Sequence, residues 1–174
     1  MFARSSLPSL RKRTNQNLNL PAQIAKLFRD LYYGGNWTSV NVKGTLLTVS
    51  WQQATSKIDS FNTIAALAFH INYYVSALIK VLRSEKLDAH DKYSFNHPPI
   101  LSEEDWDAML NKIWADADTF AELIEQLPEG KLWEDFWGDK YGNYYRNIHG
   151  VIEHTHYHLG QIVLLKKMLS KENA

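Results

Sequence analysis

Residues 143–169 carry one helical stripe: Tyr144, Ile148, Val151, Thr155, Ile162, Leu165 and Leu169 recur at three- and four-residue spacing. A helix this long with a single largely apolar face must lie against other helices. Lys166 and Lys167 near its end complement the helix dipole.

Three earlier segments repeat the pattern. Pro21 suits a first helical position, and Ile24, Leu27, Phe28 and Leu31 follow it before Gly34-Gly35 interrupts. The stretch from Asn36 to about Val49, with Trp37, Val40, Val42, Leu46 and Leu47, is expected to resume that helix after the glycine break. Residues 51–60 form a polar connection with room for a short helical turn. A second long helix is predicted over about Phe61–Leu82, with Ser60 as N-cap and Ile64, Leu67, Ile71, Tyr74, Leu78 and Val81 on one face. Residues 83–101 break the period and end in Asn96-His-Pro-Pro99, which no helix runs through. Ser102-Glu-Glu-Asp105 then opens a third helix as a capping box with Asp in place of Glu, closing before Pro128. An aromatic connector with Trp133, Phe136, Trp137 and Tyr141 leads into the fourth.

Four amphipathic helices without a convincing strand predict an all-α fold, a four-helix bundle. The long connection between helices 2 and 3 reads as a crossover that sets the third helix parallel to the second. One domain over residues 20–174 is expected, preceded by a flexible basic tail over 1–19 that lacks the apolar core of a secretion signal.

Composition removes several functions. Nineteen basic and nineteen acidic residues cancel, and no helix has a basic stripe, so no nucleic-acid partner is expected. No cysteine is present, which excludes disulfides, thiolate metal sites and cysteine nucleophiles and fits a cytoplasmic location. No apolar stretch is expected to reach membrane-span length, so no membrane partner is expected either.

The segment Glu153-His-Thr-His-Tyr-His-Leu-Gly-Gln161 places three of the seven histidines within five residues of the last helix. His154 and His158, four apart, share a face about 6 Å apart along the axis and can bind one metal ion together. His156 points to roughly the opposite side, with His149. A zinc-protease signature would need Glu at Thr155. Glu153-x-x-His156 matches half of a di-iron carboxylate site, but no other histidine has Glu three residues before it. His70, in the middle of the second helix beside Leu67 and Tyr74, is the strongest third ligand. His90 and His97 lie in the crossover, where exposure is the default.

A mid-helix histidine in Ala-Phe-His70-Ile-Asn and a later His154-Thr-His-Tyr-His158-Leu-Gly-Gln161 together resemble the DinB-like family of small bacterial four-helix proteins. The resemblance covers about residues 20–170 and includes the long connection before the third helix. It implies an up-down-down-up bundle and a three-histidine divalent-metal site formed by His70, His154 and His158. Many members carry a further His before the last ligand and an Arg after it. Tyr157 and Leu159 stand there instead, which points to a drier pocket rim.

Three imidazoles leave open positions on a metal and suit zinc or nickel first, then iron, with copper also compatible. The family implies a metal-dependent enzyme acting on a small molecule, most directly a transferase or isomerase using a low-molecular-weight thiol; an open metal site that activates water would also allow a hydrolase. The alternative is a non-catalytic binding or stress-related interaction module with structural histidines. Gln161 and Tyr74, one turn beyond His158 and His70, are candidates to hydrogen-bond a ligand or to pack. The aromatic connector reads as a cap on the core or as a ligand or dimer surface, and a homodimer is compatible with so many apolar rings.

Overall fold

The computed structural model describes residues 19–172. The expected tail over residues 1–19 falls, except for Asn19, outside the described residues. The described residues are all-α: α1 (Leu20–Tyr33), α2 (Val42–Leu46), α3 (Trp51–Thr55), α4 (Ile64–Leu82), α5 (Glu103–Glu125) and α6 (Tyr144–Glu172). Short 3-10 turns at Asp91–Tyr93 and Glu129–Trp133 interrupt the two long connections, and no strand forms among the described residues beyond an isolated bridge between Asp135 and Asn143.

Local chemistry sets most helix starts. A side-chain oxygen of Asn19, Asn41, Ser50, Thr63 or Ser102 accepts a backbone N–H of the first turn of each of α1–α5. These bonds satisfy amides that the helix itself leaves without partners. At α5 the Asp105 carboxylate reaches back as expected, but it accepts from the Leu101 amide at 2.9 Å, one residue earlier than in a capping box. Ser102→Ala should cost about 1 kcal/mol of stability, read from the midpoint of urea unfolding. An unchanged midpoint would show that the cap does not stabilise α5.

Two expected elements are corrected. Helix one does not resume after Gly34-Gly35: both glycines have φ values of +110° and +102°, which a continuing helix does not use, and the chain turns before the five-residue α2. Trp37 consequently stands fully exposed. The second long helix starts three residues later than expected, because Thr63 and not Ser60 accepts the first-turn amide, and Phe61 remains outside the buried face.

α1 packs along α5, α5 along α4, and α4 along α6, with a lighter contact returning from α6 to α1. α2 fills the space between α1 and α6, and α3 lies on α4. All seven residues of the α6 stripe are buried, Thr155 included, whose hydroxyl donates to the Val151 carbonyl at 2.8 Å. Phe28, Tyr32 and Phe120 meet through edge and tilted ring contacts in the α1–α5 half of the core. Contrary to the expectation of no membrane-length segment, α4 is long and apolar enough to cross a membrane by length and composition. Within the fold, 67% of that window is buried by the neighbouring helices.

The aromatic connector is split in role. Phe136 and Tyr144 are buried and meet edge-on, capping the core, whereas Trp133 and Trp137 are exposed. The backbone folds the connector onto the start of α6: Phe136 N–H donates to the Gly142 carbonyl and Tyr144 N–H to that of Glu134.

Candidate metal centre

α4 and α6 run side by side, and their contact face carries His70, His154 and His158. His154 Nε2 lies 3.0 Å from His70 Nε2 and 3.0 Å from His158 Nε2. The four-residue spacing on α6 therefore does what helical geometry requires of it, and His70 meets the pair from the facing helix. These three form a group able to hold a metal ion. A tetrahedral ion with Zn–N bonds of about 2.0–2.1 Å sets its ligand nitrogens about 3.3 Å apart, a few tenths of an ångström from the contacts here.

Hydrogen bonding alone does not account for three converging nitrogens. Each N···N contact needs one N–H and one lone pair, and a neutral imidazole nitrogen supplies one or the other. His158 donates from Nδ1 to Gln161 Oε1 at 2.7 Å, so its Nε2 presents a lone pair. His154 Nε2 must then carry the hydrogen for His158, and that one hydrogen cannot also serve His70. If His70 donates to His154 instead, two lone pairs face each other across the other contact. A cation at the centre satisfies all three lone pairs together.

The surroundings are aromatic. Phe95, from the connection between α4 and α5, stacks on His70 with centroids 3.8 Å apart and planes 7° from parallel. The Tyr74 ring sits edge-on to both His70 and His154, and its hydroxyl donates to Asp91 Oδ1 at 2.7 Å. Burial, helped by the nearby Asp91 carboxylate, raises that phenol to about 12. Burial first, then the neighbouring His158, pushes His70 down to about 4. The same two causes, with His70 added, hold His154 at about 4. Both rings are thus neutral at physiological pH, as ligation requires.

The outer shell is uneven. Gln161 orients His158, whereas the buried Nδ1 atoms of His70 and His154 have no hydrogen-bond partner. The Ser94 backbone favours the protonated His70 ring but completes no bond to Nδ1. The pH dependence of the metal-free protein follows from the lowered rings. Between about pH 6.5 and 4 the unfolded chain binds protons that the folded rings refuse, so stability is full above this window and falls as pH drops through it. Denaturant midpoints of metal-free protein at pH 7 and pH 5 should show the lower value at pH 5; equal midpoints would contradict the buried neutral pair.

The remaining histidines do not join the group. His90 is exposed beside Asp88, and His97 Nδ1 bonds the Pro98 carbonyl. His149 stacks on Tyr145 and pairs with Glu153, and His156 is half-buried away from the centre. Leu159 is a core residue at 3% exposure, so it forms no part of a pocket rim as expected; Tyr157 beside it is exposed and edge-on to His158. Gln161, expected to touch a ligand or to pack, instead fixes the His158 tautomer. Its three-residue offset from His158 on the helix was the signal for that role.

A cavity of about 380 Å³ opens beside His154 between α4, the connector and the start of α6. Another, of about 620 Å³, lies between α4, α5 and the Pro98-Pro99 wall on a different face of α4, and touches none of the three histidines. No protein-family model matches the chain, and no curated protein or solved structure matches it.

Proposed function

We propose that this chain is a metal-binding protein of the DinB-like type, with His70, His154 and His158 holding one divalent ion in a four-helix bundle of up-down-down-up order. The convergence of three Nε2 atoms, which hydrogen bonds cannot jointly satisfy, carries the reading. Two residues from one helix and one from its neighbour supply the ligands, so helix packing presets the site before any ion arrives.

An ion there offers Lewis-acid chemistry at its open positions: polarising a carbonyl, lowering the pKa of bound water or stabilising a thiolate. The protein's own contribution is positional. Gln161 holds the His158 tautomer, Phe95 shields His70 from water, and Tyr74 closes the wall between the two helices. Neutral ligands leave both charges of the ion uncompensated, which favours an anionic fourth ligand. We read the chain as a metal-dependent enzyme acting on a small molecule, in the thiol transferase, isomerase or hydrolase class.

Metal-loaded protein should gain thermal stability that chelation removes, and a small thiol should shift the transition further by occupying an open position. A transition indifferent to chelator would overturn the metal reading. Response to chelator without response to thiols or other small ligands would support a closed structural centre and a non-catalytic module. Gln161→Ala should weaken metal binding by about 10–100-fold, the usual cost of losing an orienting partner, measured by competition with a chromophoric chelator. Unchanged affinity would detach Gln161 from the centre.

A further inference from the structure

The cavity beside His154 has a charge character that the metal site alone does not explain. Its walls are Tyr74, Leu78, Tyr141, Asn147 and Val151, with Gly150 and His154 on α6, and Lys140 and Arg146 toward the connector. None of the lining residues is acidic, although the chain as a whole is neutral. Arg146 makes no ion pair among the described residues; its side chain lies across Gly142, where a Cβ would come within 3.2 Å of Arg146 Cδ. Gly142 has a φ of +70°, a backbone conformation that favours glycine in the turn before Arg146. Lys140, also without an ion pair among the described residues, sits 5.2 Å over the Tyr141 ring at the same mouth.

Arg146, Gly150 and His154 follow one another at four-residue intervals, so they line one face of α6 over about 12 Å. Gly150 is the gap in that line. A glycine inside a helix costs about 1 kcal/mol relative to alanine, and here no packing demands it: a Cβ at Gly150 would meet nothing within 4 Å. What its absence leaves open is the floor of a groove running from the unpaired guanidinium to a metal ligand.

We infer that this groove is an oxyanion subsite, taking a small molecule with a carboxylate or phosphate held by Arg146 and Lys140 at one end and a metal-ligating atom at the other. The inference rests on the three-histidine metal reading. Arginine's planar fork suits either oxyanion, and the uncompensated charge of a metal on neutral ligands favours an anion at the opposite end. The groove thus selects molecules anionic at one end and metal-seeking at the other.

Zinc-loaded full-length protein, titrated calorimetrically with a mercaptoalkanoate series and the mercaptoalcohols of equal length, tests this. Thiol coordination releases its proton to buffer in both series, so the comparison isolates the carboxylate. At the best chain length the carboxylate should bind about tenfold tighter, a difference that shrinks with added salt. R146A/K140A should remove the difference while leaving zinc stoichiometry and mercaptoalcohol affinity intact. Gly150→Leu should fill the groove and weaken the carboxylate probe without loss of zinc. Competition by inorganic phosphate and by acetate separates the two sources: stronger phosphate competition indicates a phosphate-bearing ligand, and stronger acetate competition a carboxylate. Equal binding of the two thiol series in the wild type, a preference that survives R146A/K140A, or competition by neither anion overturns the subsite with the metal centre standing. Failure to take up zinc at all overturns the metal centre and the inference with it.

Discussion

Replacing His154 and His158 together by alanine should reduce bound metal from near one ion per chain to near none, with helix content unchanged. Both residues come from α6, and their removal leaves His70 as a lone imidazole that cannot chelate. The folding cost in the metal-free state is small by comparison. The substitution removes buried polar nitrogens, one of them the unpartnered His154 Nδ1, along with the ring packing they provide. Metal linkage has the greater effect: a ligand at a thousand times its Kd stabilises the folded state by about 4 kcal/mol. The variant should therefore lose the zinc-dependent rise in Tm while its metal-free Tm stays near that of the wild type. Elemental analysis and thermal melts with and without zinc read both quantities. Retained metal at wild-type stoichiometry would place the site elsewhere.

Trp106→Ala should be the most destabilising single truncation in the core, by about 3–5 kcal/mol. The ring is 1% exposed, and its Nε1–H donates to the Val49 carbonyl at 3.0 Å, tying α5 to the loop between α2 and α3. Alanine removes the packing, opens a cavity and strands that carbonyl. Against a typical total of about 5–15 kcal/mol, the loss is a large fraction. Trp106→Phe keeps most of the apolar area and should lose about 1–2 kcal/mol, chiefly the hydrogen bond. Urea midpoints separate the two, and equal losses would mean the hydrogen bond, not the ring, holds this corner.

The long helices and the approach of His154 to His158 were legible because both follow helical periodicity. The α6 stripe, the Ser102 start of α5 and the pairing of His154 with His158 each follow from residues within a turn or two, where helix geometry leaves little freedom. His70 was legible because an imidazole in the middle of an apolar helix needs a partner. What was not legible depends on tertiary contact or on backbone conformation. Residues 36–49 carry enough apolar side chains to pass for helix, but the positive φ of Gly34 and Gly35 turns the chain instead. Thr63 and Ser60 offer equivalent hydroxyls, and which one caps α4 depends on the turn before it, where Phe61 N–H donates to the Ile58 carbonyl. Leu159 was expected at a rim because the resembling family often carries Arg there, yet one residue along a helix is a different face, and it faces the core. The groove beside His154 is built by the connector folding back on α6, a long-range event with no period to announce it.

Zinc K-edge X-ray absorption on protein purified with zinc supplied tests whether three imidazoles hold one divalent ion. The spectrum should show one ion per chain, with three imidazole nitrogens at about 2.0–2.1 Å and at least one further light-atom ligand in the open position. A chain that emerges metal-free from zinc-replete purification, or a zinc spectrum without imidazole scattering, would contradict it.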